Sequence, residues 1–152
     1  MVALDKKVPD FAAPATGGTF KLSAQRGHPV VLYFYPKDNT PGCTMEGAQF
    51  RDLHKQFAKA GAVIVGISRD SLKSHESFKA KMAFPFELVS DADEKLCSEF
   101  DVIKMKNMYG RKMRGIERST FVIDAKGTLV REWRKVKVPG HAEAVLEAVR
   151  AL

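Results

Sequence analysis

Residues Val30 to Phe57, VVLYFYPKDNTPGCTMEGAQFRDLHKQF, decide the fold of this chain. They begin with a continuous run of β-branched and aromatic residues, Val30 to Tyr35, which is typical of a strand buried on both faces. Pro36 ends the run, and a polar loop containing proline and glycine follows. Beyond the loop, apolar residues recur with the spacing of one helix face, at Phe50, Leu53 and Phe57. The stretch therefore predicts a buried strand, a loop and a helix.

A cysteine stands where the predicted helix begins. Cys43 would lie in its first turn, next to backbone N–H groups that have no partner within the helix and at the positive end of the helix dipole. Both features favour the thiolate over the thiol, and the thiolate is the reactive form of cysteine. Cys43 is therefore a candidate nucleophile.

Length and composition fit one globular domain over residues 1–152. The chain is long enough to bury a substantial core, and 45% hydrophobic with 28% charged residues is an ordinary balance for such a domain. No apolar run approaches the roughly 20 residues of a membrane helix, and the first residues, MVALDKKVPDF, lack the apolar segment of a signal peptide. We therefore expect a cytoplasmic protein. Two cysteines do not make a disulfide scaffold, so we expect them to be catalytic or buried.

The net charge of +7 raises the hypothesis of an anionic partner such as nucleic acid. Most charges alternate in sign along the chain, which favours a solvated basic surface and no nucleic acid. The exception is segment 104–114, KMKNMYGRKMR, which contains five basic residues and no acid. Its apolar side chains fit a loop packed on the domain, the mouth of a site or a partner surface; they are Met105, Met108, Tyr109 and Met113.

The remaining elements surround this central unit. Strands are predicted over 19–22, 62–68, 86–89, 119–123 and 128–133, and helices over 71–82, 91–100 and 142–152. Gly61 is expected to end the helix that follows Cys43, and the strand after it should be parallel to the first. Residues 1–18 are expected to be irregular, and 101–118 show no clear pattern. The order predicts an α/β, thioredoxin-like fold, with a mixed central sheet and helices on both faces.

The sequence Thr40-Pro41-Gly42-Cys43 has the spacing of a dithiol redox motif but only one thiol. A Cys-x-x-Cys pair would need a second cysteine at position 40. Its absence argues against a dithiol oxidoreductase, which is a competing hypothesis. The Thr40 hydroxyl can instead hydrogen-bond the thiolate or hold an oxygen of a small substrate against it. Pro36 and Pro41 stiffen the loop, so that both side chains can be held in attack geometry.

The loop Pro36-Lys-Asp-Asn-Thr40-Pro-Gly-Cys43 resembles the peroxiredoxin signature Pro-x-x-x-Thr/Ser-x-x-Cys. The longer sequence YFYPKDNTPGCTMEG is similar to the corresponding sequence of the bacterioferritin comigratory protein (BCP/PrxQ) subfamily. The resemblance continues through 63–68, VIVGIS, and through 118–124, RSTFVID, which is similar to the arginine-bearing strand of the family. It therefore covers nearly the whole chain.

The resemblance implies a thiol-dependent peroxidase that reduces hydrogen peroxide and organic hydroperoxides and needs no metal or organic cofactor. Cys43 would be the peroxidatic cysteine, whose thiolate attacks the peroxide and becomes a sulfenic acid. Thr40 would hydrogen-bond the peroxide, and Pro36 would shield the sulfur from water. Arg118 would stabilise the charged sulfur and the charge on the leaving oxygen. Members of this subfamily are often monomeric, so we expect a monomer.

Many members of the subfamily carry a resolving cysteine five residues after the peroxidatic one, where this chain has Ala48. The only other thiol is Cys97, 54 residues from Cys43. Cys97 is expected to be a small apolar core residue; a resolving role would need the two Cα atoms within about 7 Å. We expect a one-cysteine cycle with an external thiol reductant, namely thioredoxin, glutaredoxin with glutathione, or a small thiol. A two-cysteine cycle through Cys97 is the alternative.

Other polar residues near the loop are open to more than one interpretation, or have a simple structural one. Glu46 lies one turn after Cys43, where it fits a hydrogen bond to the loop, a role in proton transfer, or simply an acid favoured by the helix dipole. Arg69 fits a second cation near the site or an exposed loop residue. Asp38 and Asn39 are expected to form a turn. The four histidines show no metal-ligand spacing, so no metal site is predicted.

Overall fold

A computed structural model describes residues 1–152, except for the side chain of Met108. The strands are β1 (Ala12–Ala15), β2 (Gly18–Lys21), β3 (Val30–Phe34), β4 (Val63–Ser68), β5 (Glu87–Ser90), β6 (Ile103–Met108), β7 (Arg111–Ile116), β8 (Ser119–Ile123) and β9 (Leu129–Trp133). The helices are α1 (Pro41–Asp52), α2 (His54–Lys59), α3 (Leu72–Met82), α4 (Lys95–Glu99) and α5 (His141–Arg150), and a 3-10 turn covers Leu22–Gln25.

Seven of these strands form one mixed sheet in the order β2-β1-β5-β4-β3-β8-β9. The inner strands β3, β4 and β5 are parallel, with Val30 opposite Val63, as the predicted strand–helix–strand unit requires. β8 pairs antiparallel with β3 and continues into a hairpin with β9. All five residues of β3 are buried, which confirms a strand covered on both faces. The architecture is the predicted α/β sheet.

The two faces of the sheet carry separate hydrophobic layers, because successive side chains of a strand point to opposite sides. Tyr33 of β3 points into a layer with residues of α1, α2, α3 and α5, and Cys43 belongs to this layer. Phe34 points into the other layer with residues of α4, and Cys97 belongs to that one. The sheet therefore lies between the two cysteines.

The helix after Cys43 is interrupted, whereas the sequence predicted one helix up to Gly61. α1 ends at Asp52, and α2 begins only after Leu53, whose backbone leaves the helical region at φ −98°, ψ 2°. Phe50 and Phe57 are nevertheless both fully buried. The apolar spacing thus predicted the buried face correctly but missed the break.

The helix predicted over 91–100 is also shorter, because its acidic residues act outside it. α4 covers only Lys95–Glu99, and Glu94 before it adopts the left-handed region at φ +61°. The Asp91 carboxylate accepts hydrogen bonds from the backbone N–H groups of Leu96 at 3.0 Å and Cys97 at 2.7 Å. Asp91 therefore caps α4 from a distance. The predicted inward residues are buried, namely Leu96, Cys97 and Phe100.

Two stretches that showed no pattern in the sequence contain strands. Residues 1–18 include β1, whose ladder with β5 is a single pair, Ala15 opposite Val89. So short a ladder tolerates Pro14, which lacks an N–H donor. Residues 101–118 contain a separate antiparallel hairpin of β6 and β7, paired from Ile103 opposite Ile116 to the turn. Charged side chains on both strands hide its alternation.

Helix α5 closes the layer that contains Cys43. Its predicted apolar face is buried at Ala142, Val145, Leu146 and Val149. Leu152, predicted on the same face, lies beyond the end of the helix and is 56% exposed. Across the described residues, none of the helices combines the length and the apolar character that crossing a bilayer would require.

Candidate active site

Cys43 lies at the start of α1, as predicted. It is the third residue of the helix, with Pro41 at the first position and Thr40 as the N-cap. The Cys43 side chain is 2% exposed. Unpaired N–H groups and the positive end of the dipole meet at this position, and both stabilise a thiolate. The sulfur is therefore shielded from water by protein and still lies in a positive field.

Arg118 reaches Cys43 across the sheet. It directly precedes β8, and Ser119 of β8 lies opposite Phe34 of β3, which leads into the loop before α1. The Arg118 Nη2 group donates a hydrogen bond to Cys43 Sγ at 3.4 Å. A side chain at position 42 would crowd this cation, since a Cβ on Gly42 would lie 3.0 Å from Nη2. Two residues 75 apart in sequence thus meet, as the family resemblance implied.

Glu46 is the second partner of Arg118. The Arg118 Nη1 group donates to Glu46 Oε1 at 2.6 Å, and the Glu46 side chain is 1% exposed. Burial raises the pKa of Glu46 to about 7, although the positive charge of Arg118 acts in the opposite direction. Its Oε2 atom has no hydrogen-bond partner among the described residues. Glu46 is therefore a buried group that holds the guanidinium against the sulfur, which the sequence left undecided.

Thr40 and Pro36 belong to the loop that covers the start of α1. The Thr40 hydroxyl donates to the carbonyl oxygen of Lys37 at 2.8 Å. Its proton is therefore engaged within the loop and not on the thiolate, which was one of the two predicted interactions. The oxygen keeps its acceptor capacity. Pro36 is half-buried directly after β3.

Asp38 and Asn39 form a turn, as predicted, but Asp38 is also a buried hub of this loop, which the sequence did not indicate. Its carboxylate accepts hydrogen bonds from Tyr35 Oη at 2.6 Å and Ser74 Oγ at 2.8 Å, and it contacts His75 Nδ1 at 2.7 Å. Asn39, the second residue of the turn, adopts the left-handed region at φ +63°. Asp38 thereby ties the loop to α3.

His75 completes this buried cluster. It is fully buried, and its Nε2 atom lies 2.9 Å from the carbonyl oxygen of Val89. Both ring nitrogens therefore have polar partners, Asp38 on one side and the backbone of β5 on the other. Ligand-type atoms of Asp38, Asp70 and His75 lie within 4.8 Å of one another, but both nitrogens of the ring are already used by protein acceptors.

Cys97 is a core residue, as expected. It is fully buried in the layer opposite to that of Cys43. Burial, together with the neighbouring Asp91, raises the pKa of the Cys97 thiol far above its ordinary value. A neutral thiol in an apolar layer is a poor nucleophile.

Arg69 belongs to an ion-pair cluster with Glu94 and Arg114. Its Nη1 group pairs with Glu94 Oε2 at 3.0 Å, and Arg114 of β7 binds the same carboxylate with both Nη groups. The hydrogen bonds from these two arginines lower the pKa of Glu94 to about 2, and they outweigh the opposite effect of burial. The cluster joins the β6–β7 hairpin to the start of α4.

The comparisons with known proteins agree with this site. Residues 4–132 match the AhpC/TSA family. The chain is 59% identical over 143 residues to Peroxiredoxin Bcp of Xanthomonas campestris pv. campestris. This match covers 93% of this chain and 89% of the relative. It is 48% identical over 150 residues to Peroxiredoxin Bcp of Bacillus subtilis, which covers 98% of this chain and 96% of the relative.

Solved structures of Bcp and PrxQ proteins have the same fold as this chain. The bacterioferritin comigratory protein of Xanthomonas campestris, described for its alkyl peroxide reduction activity, superposes with a TM-score of 0.88 at 57% identity, covering 93% of this chain and 90% of that one. A cysteine-to-serine variant of PrxQ from Xylella fastidiosa superposes with a TM-score of 0.94 at 47% identity, covering 99% and 97%. The thioredoxin-like fold is confirmed.

The chain therefore belongs to the AhpC/TSA family, and within it to the Bcp/PrxQ peroxiredoxins. It is a thiol-dependent peroxidase that reduces hydroperoxides with electrons from a thiol.

Proposed function

We propose that Cys43 is the peroxidatic nucleophile and that Arg118, Thr40 and Pro36 build the site around it. The observation that carries this proposal is the Arg118 guanidinium, which donates to Cys43 Sγ at 3.4 Å and to Glu46 Oε1 at 2.6 Å. A fixed cation held by a buried carboxylate is preorganised for charge that moves during the reaction.

In the first step the Cys43 thiolate attacks the terminal oxygen of the hydroperoxide. A sulfur–oxygen bond forms, the oxygen–oxygen bond breaks, and the electron pair leaves with the second oxygen, which takes up a proton as alcohol or water. Cys43 is thereby oxidised to a sulfenic acid. Arg118 lies where it can stabilise both the thiolate and the developing charge on the leaving oxygen.

Thr40 and Pro36 orient and enclose the peroxide in this proposal. The Thr40 hydroxyl donates its hydrogen bond to the Lys37 carbonyl oxygen. The Thr40 oxygen can therefore accept a hydrogen bond from the bound peroxide. Pro36 offers an apolar ring and no N–H donor at the edge of the loop. A drier pocket strengthens the interaction between Arg118 and the reacting atoms.

The sulfenic acid is reduced by an external thiol in a one-cysteine cycle. Position 48 is Ala48, and Cys97 is fully buried in the opposite layer of the sheet. Solved forms of the Xanthomonas protein carry single cysteine-to-serine substitutions at two positions 36 residues apart, so that protein has two cysteines at this separation. In this chain the residue 36 positions after Cys43 is Lys79, which is not a thiol. Thioredoxin, glutaredoxin with glutathione, and small thiols are the candidate reductants, and a two-cysteine cycle through Cys97 is the alternative.

Turnover of two single variants tests this function. Peroxide consumption is measured with excess dithiothreitol for the wild type, Cys43→Ser and Cys97→Ser. We expect no turnover from Cys43→Ser and wild-type turnover from Cys97→Ser. Normal turnover by Cys43→Ser would overturn the assignment of the nucleophile, and loss of turnover in a folded Cys97→Ser would favour the two-cysteine cycle.

The proposal also covers how the molecule is organised. Residues 1–152 form one catalytic domain that works as a monomer in the cytoplasm. The support is the single seven-stranded sheet that joins β1 to β9. Light scattering after size-exclusion chromatography checks the monomer: a mass of twice 16.9 kDa or more would contradict it.

A further inference from the structure

The β6–β7 hairpin is the most basic segment of the chain. It forms its own two-stranded sheet beside the main one. Between its first and last charged residues it holds five cations and no acid, namely Lys104, Lys106, Arg111, Lys112 and Arg114. The family reaction does not require this charge, because hydrogen peroxide and simple alkyl hydroperoxides are small and neutral.

Two cations at the tip of the hairpin are open to a partner. Lys104 pairs with Asp101 at 3.2 Å, and Arg114 pairs with Glu94. Arg111 and Lys112 are exposed, and no acid lies within ion-pair distance of either among the described residues. Large apolar side chains are exposed around them, namely Met105 at 62%, Tyr109 at 98% and Met113 at 51%. Methionine, tyrosine and arginine are the residue types enriched in protein–protein interfaces.

The base of this hairpin leads to the active site. The Lys106 Nζ group donates to the carbonyl oxygen of Ile116, two residues before Arg118. Burial and the positive charge of Arg118 lower the pKa of Lys106, while the charge of Cys43 acts in the opposite direction. The hydrogen bond of Lys106 thus ties the hairpin to the segment that leads into Arg118.

A second basic segment contacts Arg118 directly. The backbone N–H of Val136 donates to the Arg118 carbonyl oxygen at 3.0 Å. Its neighbours Lys135 and Lys137 are both exposed. Two separate basic segments thus bond to the backbone at or near the residue that touches the Cys43 sulfur.

We propose that the hairpin tip, Arg111 and Lys112, together with Lys135 and Lys137, forms the docking surface for an acidic protein dithiol that reduces the oxidised Cys43. This inference rests on the proposed one-cysteine cycle. Charge complementarity favours an acidic partner on this surface. Several cations accelerate the encounter with an acidic protein and do little for a neutral peroxide. The exposed methionines and Tyr109 supply the apolar contact that holds the partner in place.

The docked partner performs two balanced steps. Its first thiolate attacks the sulfur of the Cys43 sulfenic acid, a disulfide forms between the two proteins, and the oxygen leaves as water after taking up a proton. Its second thiolate then attacks the partner's own sulfur in that mixed disulfide, and Cys43 leaves as a thiolate. The partner dithiol is oxidised to a disulfide, and Cys43 returns to its starting state.

Charge reversal at the hairpin tip tests this proposal. The test variant is Arg111→Glu with Lys112→Glu, and the matched control is Lys55→Glu with Lys59→Glu, two exposed lysines of α2 that change the net charge equally. Three rates are measured for each: oxidation of Cys43 by hydrogen peroxide, reduction of the sulfenic acid by dithiothreitol, and its reduction by an acidic thioredoxin. The thioredoxin rate is also measured against salt concentration.

We expect only the thioredoxin rate of the hairpin variant to fall, by about tenfold or more at low salt, and to lose its salt dependence. The control variant should keep most of the wild-type thioredoxin rate. An equal loss in both variants, or no loss in either, would overturn the docking surface. A slower reaction of the hairpin variant with peroxide itself would assign the surface to the substrate and overturn it also. Failure of the proposed one-cysteine cycle is distinguishable, because the dithiothreitol rate would then depend on Cys97.

Discussion

Replacing Arg118 by glutamine removes one donor from the Cys43 sulfur and one from Glu46. The Nη2 atom lies 3.4 Å from Sγ, and at such a separation two unit charges interact by about 5 kcal/mol at an effective dielectric constant of about 20. Only the part that increases in the transition state accelerates the reaction, and one such donor typically contributes about 3–4 kcal/mol. We therefore expect the second-order rate constant for oxidation of Cys43 by hydrogen peroxide to fall about 10²- to 10³-fold.

Arg118→Lys separates charge from geometry. Lysine keeps the positive charge but has no planar fork, so it cannot donate to Cys43 and Glu46 with two fixed groups. Its rate constant should lie between those of the wild type and Arg118→Gln. Equal rates for the lysine and glutamine variants would mean that geometry alone matters at this position.

Rapid mixing with peroxide, followed by a quench that alkylates unreacted thiols, gives the rate constant for each variant. The matched control is Arg150→Gln, which removes an arginine paired with Glu147 on the surface. The control should react like the wild type. An Arg118→Gln protein that is folded and reacts as fast as the wild type would refute the role of the guanidinium.

Three further changes test the packing and charges near the site. Burial raises the pKa of Glu46 to about 7, so the unfolded chain loses this proton at lower pH than the folded protein does. The stability that Glu46 contributes is therefore lost from about pH 4.5 to pH 7, by on the order of 3 kcal/mol, and the difference in urea unfolding between the wild type and Glu46→Gln should fall by this amount over that range. Gly47→Ala would press a methyl group into the Phe84 ring, and urea titration should show a loss of about 1–3 kcal/mol. Asp38→Ala leaves the buried His75 Nδ1 and Tyr35 Oη without their carboxylate partner, and thermal unfolding should show a loss of about 1–3 kcal/mol for each buried group left unpaired.

For each of these three changes, one outcome would contradict the prediction. The same slope of stability against pH in Glu46→Gln would show that another group titrates. A more stable Gly47→Ala would follow from helix propensity alone and would contradict the close contact with Phe84. For Asp38→Ala the control is Asp52→Ala, because Asp52 is exposed in its pair with Arg51. Similar losses in both variants would contradict the buried hydrogen-bond cluster of Asp38.

The unit of β3, loop and α1 was predictable because its signals are local. A run of β-branched and aromatic residues, a proline that ends it and a helical spacing of apolar residues all lie within residues 30–57. The position of Cys43 in the first turn followed directly from them. The break at Leu53 was not predictable, because the apolar spacing continues through it.

The partners of Cys43 needed information that no local pattern contains. Arg118 lies 75 residues away, and only the pairing of β8 with β3 brings it to the sulfur. The family resemblance indicated this arginine, whereas residue spacing did not. Glu46 had a local signal, since it stands one turn after Cys43, but its burial depends on the layers above it.

The cluster of Asp38 and His75 was missed because each residue was judged alone. In the sequence, His75 precedes Phe78 and Met82 with the spacing of one helix face, which places it on the buried side of α3. A buried histidine needs partners for both nitrogens, and that requirement is the signal that was available. The β6–β7 hairpin was missed for a different reason, because its charged side chains hide the alternation of a strand.

Mass spectrometry after a single oxidation tests the central claim most directly. The wild-type protein is treated with one equivalent of hydrogen peroxide in the presence of dimedone, which traps sulfenic acids, and is then digested without reduction. A thiolate at Cys43 activated by Arg118 predicts one dimedone adduct, on the peptide that contains Cys43. A disulfide between Cys43 and Cys97, or an adduct on Cys97 alone, would contradict the account.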